Sequence, residues 1–241
     1  MIETEKMLWD GEVAIAVEKP AGLPTEAAPS LDSLRRRLRE VLGPRTGYLV
    51  MPHRLDRCVS GVVLAALTKR AARLLSAQFA SRKVEKIYIA ILQGRLEVES
   101  PAAGETFAVR WVDTLSKVPG EPRVRLSQDP LRGQRAETDV EVIRYDPRAD
   151  HTWVRFRPIT GRMHQLRVQS STRGHPILGD ERYGGRPGRP TPGRIALHAA
   201  SLRFHDPRNG VRVHVASPPP DPADWLSCFA TPGDRPDVTR P

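Results

Sequence analysis

A carboxylate flanked by cations, in a turn that leads into a buried strand, has what a nucleophile or a base requires. Nearby positive charge favours the ionised acid, and partial dehydration makes its oxygens reactive. The segment His53-Arg54-Leu55-Asp56-Arg57-Cys58-Val59-Ser60-Gly61 has this form and runs straight into an apolar stretch. Taken alone, such residues more often make an ordinary Arg–Asp surface pair. A kinase-like use of His-Arg-x-Asp fails, because no glycine-rich phosphate loop precedes it and no Asp-Phe-Gly follows.

A second cluster lies about a hundred residues on, in Pro158-Ile159-Thr160-Gly161-Arg162-Met163-His164-Gln165-Leu166-Arg167-Val168. Two arginines, a histidine and a glutamine crowd one turn and the helix expected after it. Such groups bind carboxylates, phosphates and base edges. A metal site built from His164 with His175 or His198 matches no common ligand spacing, and no carboxylate lies close by in sequence. Cys58 and Cys228 are far apart and belong to no ligand pattern, so two free thiols are expected.

Of 38 basic residues, 32 are arginine, and the formal charge is +10. Arginine offers phosphate a planar fork and stacks on bases. The balance favours a polyanionic partner such as nucleic acid. No apolar run reaches the ~18 residues of a membrane span. The first residues lack the basic-then-apolar pattern of a signal peptide, so a cytoplasmic protein is expected.

The elements that must position these clusters are legible in part. Glu12–Glu18 reads as a strand that Lys19-Pro20 stops. A helix is expected from Ser30 to Leu42, with Leu31, Leu34, Leu38, Val41 and Leu42 on one face and Gly43-Pro44 ending it. Gly61–Leu67 reads as a buried strand, followed by a helix capped by Thr68 and striped by Ala71, Leu75 and Phe79. Lys86–Gln93, Thr138–Tyr145 and Thr152–Arg157 alternate as strands. His164–Arg173 reads as a short helix with His164, Arg167 and Ser171 on one face. Ile195–Phe204 and Val211–Val215 flank a hairpin signal at Asp206-Pro207-Arg208-Asn209-Gly210. Lys117–Arg135, Gly184–Gly193 and Ser217–Pro241 read as irregular. The pattern predicts an α+β fold, with a mixed, mostly antiparallel sheet flanked by helices and loops. One domain over residues 1–217 is expected, followed by a Pro-rich, partly disordered tail over 218–241.

Both clusters resemble signature motifs of the RluA family of RNA pseudouridine synthases. So do Val17-Glu18-Lys19-Pro20-Ala21-Gly22-Leu23, Lys86-Ile87-Tyr88-Ile89-Ala90, Gly174-His175-Pro176-Ile177-Leu178-Gly179-Asp180, and Leu197-His198-Ala199 followed by Phe204-His205-Asp206-Pro207. The motifs run in the family's order from about residue 8 to about residue 217. The resemblance implies a pseudouridine synthase fold with a central RNA-binding cleft, Asp56 as nucleophile, Tyr88 as the active-site tyrosine and Arg167 as the partner of Asp56. It implies that Arg54 helps hold a flipped-out nucleotide. His53, Arg162, His164 and Gln165 complete the expected substrate contacts. Met163 departs from the family's usual threonine or serine, and Gln169 from its usual histidine. No S4-type domain is expected ahead of the first motif.

Pseudouridine formation breaks a C–N glycosidic bond, turns the base and makes a C–C bond. It needs no electrons, so neither metal nor cofactor is expected. The implied partner is structured RNA, transfer or ribosomal, bound by a monomer. Two other classes stay open at this point. One is a non-catalytic RNA-binding protein or chaperone that keeps the cleft; the other is a metal-dependent RNA hydrolase, which the lack of clustered carboxylates disfavours.

Overall fold

The computed structural model describes residues 6–98, 107, 109–127, 129–186 and 194–219. Alternation along two neighbouring strands, β2 (Ala14–Lys19) and β3 (Ser60–Ala66), decides its layers. Ile15, Val17, Val63 and Ala65 share one core with Leu34 and Leu38 of helix α1 (Leu34–Leu42). Ala14, Ala16, Val62 and Leu64 share another with Ala71 and Leu75 of helix α2 (Lys69–Ala80). Successive strand side chains point to opposite faces, so both faces of this part of the sheet are covered.

The other strands are β1 (Met7–Asp10), β4 (Glu85–Gln93), β5 (Val109–Lys117), β6 (Val124–Leu126), β7 (Gln134–Asp146), β8 (His151–Pro158), β9 (Leu197–His205) and β10 (Arg212–Ala216). They form one ten-stranded sheet in the order β1-β2-β3-β9-β4-β8-β7-β5-β6, with β10 beside β9. Every named pair is antiparallel except β3–β9, which pairs only Ser60 with His198 and Gly61 with Ala199. This is the α+β, mixed and mostly antiparallel sheet that the sequence predicts. Gly61 makes the seam possible. Its φ is 118°, and a Cβ there would lie 2.3 Å from the Ala199 carbonyl oxygen. Past the seam β9 pairs with β10, and the edge of β3 finds other partners. The Leu64 N–H donates to His53 Nε2 at 2.9 Å, and Ala66 exchanges two backbone hydrogen bonds with Val50.

Several boundaries differ from expectation. Helix α1 begins at Leu34, four residues after the expected start at Ser30, because Ser33 supplies the capping oxygen. Leu31 and Val41 are exposed, so the apolar face is narrower than the periodicity suggests. The α1 arginines serve its own surface, Arg36 pairing with Glu40 and Arg37 with Asp32. The stretch Lys117–Arg135 is not wholly irregular. It carries β6, a three-residue strand with only Val124 buried, too short and polar to show alternation. Strands β1 and β5 also escape the sequence reading. Residues 187–193 of the basic loop and 220–241 of the tail lie outside the described residues. Among the described residues no helix is long and apolar enough to cross a membrane.

Candidate active site

Asp56 sits in the loop between Val50 and β3, and the Lys19–Leu23 turn braces that loop from below. Lys19 is fully buried and its ammonium donates to the carbonyls of Pro20 and Leu23, with the Arg57 carbonyl at 3.5 Å. Gly22 N–H donates to the Arg57 carbonyl, and Arg57 Nε donates back to the Gly22 carbonyl. The Thr25 hydroxyl both donates to the Leu55 carbonyl and accepts from the Leu55 N–H. Besides the long one from Lys19, four hydrogen bonds thus fasten Leu55 and Arg57, on either side of Asp56, to the segment that follows β2. A buried ammonium is tolerated where carbonyls satisfy it.

Helix α3 (Gln165–Thr172) brings the partner. Arg167 Nη1 donates to Asp56 Oδ2 at 2.9 Å across 111 residues of chain. Its other two donors go elsewhere: Nε and Nη2 both bond Asp180, at 2.7 and 2.8 Å. Burial is the largest single effect and works against the Arg167 charge, but the Asp180 hydrogen bonds together with the nearby negative charges, Asp180 and Asp56 among them, outweigh it and raise its pKa further. Asp180 is itself buried. His164, which caps α3 in a left-handed conformation, places Nε2 at 3.6 Å from Asp56 Oδ2 and Nδ1 at 2.8 Å from the Tyr183 hydroxyl.

Tyr88 lies on β4 next to a bulge between Ile87 and Tyr88 that shifts the register against β9. It lines the same small cavity as Asp56, about 120 Å³, together with Arg54, Lys86, Arg162, His164 and Arg167. Burial, then the nearby Asp56 charge, holds its phenol well above the usual tyrosine range, so it is neutral. Lys86 donates weakly to the Thr160 carbonyl at 3.4 Å. Burial, and then Arg82, brings its pKa down to about 8. The cavity opens into a wider groove of about 610 Å³ bordered by Arg54, Arg82, Lys86, Lys117 and Arg162. A groove lined by five cations, leading to a pocket with a carboxylate on its wall, suits a polyanion that inserts one uncharged ring.

Comparison with known proteins agrees with this geometry. The family model described as RNA pseudouridylate synthase matches residues 13–172, a span that includes Asp56, Tyr88 and Arg167. The chain belongs to this family. It is an isomerase that converts uridine in RNA to pseudouridine, and its motifs are those of the RluA branch. The dual-specificity RNA pseudouridine synthase RluA of Haemophilus ducreyi is 35% identical over 206 residues, covering 84% of this chain and 87% of that protein. The Escherichia coli protein of the same name is 35% identical over 216 residues, covering 88% and 92%. The solved structure of human RNA pseudouridylate synthase domain containing 1 superposes with a TM-score of 0.73 at 29% identity, covering 95% of this chain and 89% of that one.

The other expected contacts of this pseudouridine synthase divide into two groups. Arg54 is exposed at the cavity mouth and pairs with no acceptor among the described residues. Arg162 lines cavity and groove, with Nε on the Arg135 carbonyl. His53 borders the groove, but its Nε2 is committed to Leu64 and its ring stacks on Phe79. Burial, then Lys86, lowers its pKa to about 3, so it stays neutral. Gln165 is buried and its amide is spent on protein. Its oxygen accepts from the Thr160 hydroxyl and the Arg162 N–H, and its nitrogen donates to the Glu137 carbonyl and the Thr138 hydroxyl. It shapes the 158–164 turn instead of presenting an edge to RNA. The unusual Gln169 is equally committed, bridging Thr138 and Asp113, whereas the unusual Met163 is partly exposed on the groove. Lys19, Lys86 and Asp180 stand within the motifs quoted above but carry no role there, and Tyr183 lies outside all of them.

Proposed function

We propose that Asp56 is the nucleophile of this pseudouridine synthase, that Arg167 orients it and that Tyr88 packs on the target uracil. The observation that carries this reading is the 2.9 Å contact between Arg167 Nη1 and Asp56 Oδ2 on the wall of the cavity that Tyr88 also lines. The target nucleotide leaves its stack, at a cost of roughly a few kcal/mol, and Arg54 at the mouth helps hold it out. The C1′–N1 bond breaks, the base turns, C1′ bonds to C5, the C5 proton is lost and N1 gains one. Asp56 serves either as the group that bonds C1′ or as the base that yields a glycal. Neutral Tyr88 supplies a stacking face and a hydroxyl that can pass a proton.

The substrate is structured transfer or ribosomal RNA, and relatives named dual-specificity support more than one target. The protein works as a monomer in the cytoplasm, without metal, through a catalytic domain over residues 1–217. The test is tritium release from C5-labelled RNA in the presence of a chelator. Asp56→Asn keeps the shape but removes the charge, so it should fold, bind RNA and release tritium only at background. Wild-type release by this variant would overturn the assignment and favour an RNA-binding protein that merely keeps the cleft.

A further inference from the structure

Beside Asp56 lies a short turn whose one buried residue, Tyr183, the scheme above leaves unused. Residues Glu181–Tyr183 form one 3-10 turn, and Tyr183 packs with Val168 of α3 and Val124 of β6. Its phenolic oxygen accepts the Val124 N–H at 3.1 Å and stands 2.8 Å from His164 Nδ1. A phenol has one proton to give, and an imidazole nitrogen accepts only when it carries none. Among the described residues, His164 Nδ1 is the acceptor in reach of that proton. Burial raises the Tyr183 pKa, so the proton stays on the phenol. His164 then carries its own proton on Nε2, the nitrogen that faces Asp56 Oδ2.

The backbone of His164 has φ 51° and ψ 22°. Residues other than glycine adopt this conformation at a cost, and it persists where the surroundings over-determine it. It turns the ring back from α3 toward Asp56 and Tyr183. Arg167 Nη1 reaches the same oxygen, Oδ2, while no donor among the described residues addresses Oδ1. The Tyr183 ring also lies 5.0 Å from the Arg167 guanidinium, so one residue supports both donors.

Taking Asp56 as the reacting carboxylate, as proposed above, we infer that Tyr183 is a positioning residue. It locks His164 as the Nε2–H tautomer, so that His164 and Arg167 both aim N–H groups at Asp56 Oδ2 and leave Oδ1 as the oxygen that meets the ribose. The 3.6 Å gap is beyond hydrogen-bond length, and small side-chain motion on substrate binding closes it. When the bond to Oδ1 breaks again, charge returns to a carboxylate whose other oxygen already has its donors. The charges facing His164 are Asp56 and Asp180 on one side of the balance and Arg167 and Arg182 on the other. Burial comes first among the causes and keeps the imidazole neutral.

Nitrogen-15 histidine spectra of the full chain at neutral pH test the tautomer directly, with His164 assigned by difference against His164→Gln. Wild type should show His164 protonated on Nε2 alone, and Tyr183→Phe, which keeps the ring, should show a mixture. Protonation on Nδ1 in the wild type would overturn the inference with no variant needed. Tritium release supplies the second arm. Tyr183→Phe should lower kcat by roughly ten- to a hundredfold, the scale of a misaligned catalytic group, with KM within about twofold. His164→Ala should lose a similar factor, and the double variant should be no worse than His164→Ala. Losses that multiply would mean that Tyr183 does not act through His164, and the inference would fail. Melting temperatures separate either result from unfolding. Wild type that shows the Nε2–H signal but releases no tritium would overturn the activity reading instead of the tautomer.

Discussion

Arg167 gives Asp180 two hydrogen bonds and Asp56 only one. The two-bond grip that a guanidinium offers a carboxylate therefore goes to the buried Asp180. The single remaining donor is aimed by that grip. Asp180→Asn should accordingly damage turnover and stability together. Breaking one side of a buried ion pair costs about 3–5 kcal/mol, seen as a lower urea midpoint. Arg167→Lys should fail on both counts too, since one ammonium cannot span two carboxylates. Normal turnover in Asp180→Asn would show that Asp180 does not aim Arg167.

Lys86 sets a pH dependence on RNA binding. Its ammonium, with a pKa brought down to about 8 by burial and Arg82, loses charge as pH rises through that value. Affinity for RNA at constant ionic strength should weaken between pH 7 and pH 9, and Lys86→Met should abolish that slope. An unchanged slope in the variant would assign the titration to another group.

Arg54 is a test of what the cavity mouth does. RNA affinity should fall steeply with salt, because the groove cations displace counterions from phosphate. Arg54→Ala should reduce the rate of modification more than it reduces that salt-sensitive binding. Normal modification by the variant would remove Arg54 from nucleotide capture.

His198 should make the fold acid-sensitive. It is fully buried, with Nδ1 on the Ser60 hydroxyl and Nε2 on the Ser217 carbonyl. Burial lowers its pKa from 6.5 to about 4. Between those values the unfolded chain binds a proton that the folded chain refuses. Its stabilising contribution is complete above pH 6.5 and declines as pH falls toward 4, at roughly 1.4 kcal/mol per pH unit. Urea midpoints at pH 7.5 and 5 in wild type and His198→Asn should show a shallower loss in the variant.

What was legible in the sequence had local causes. Thr68 announces α2 because its hydroxyl caps the helix it precedes, and β3 announces itself by the unbroken apolar run Gly61–Leu67. Asp56, Tyr88 and Arg167 were reached through motifs, since nothing in spacing brings residues 111 positions apart together. Gln165 looked like a reader of base edges because an amide can be one; only the fold shows its four hydrogen bonds turned inward. The roles of Asp180, which ends a quoted motif, and of Tyr183, which lies outside all of them, were hidden for the opposite reason. Gly179-Asp180-Glu181-Arg182-Tyr183 has the composition of a solvent-facing turn, and Glu181 and Arg182 do face solvent; Asp180 is buried against Arg167, and Tyr183 by packing with Val168 and Val124.

The two-pair seam between β3 and β9 also sets a schedule. The strand that carries the Asp56 loop pairs early with β2 but has to wait for its second partner, which begins at Leu197, and Arg167 and Asp180 reach the same place only shortly before it. Contacts this distant in the chain form late, because loop closure must be paid before they return anything. During synthesis the basic segments emerge first and the arginine-gripped carboxylate is assembled last. A ribosome-bound intermediate can therefore attract RNA well before it can alter it.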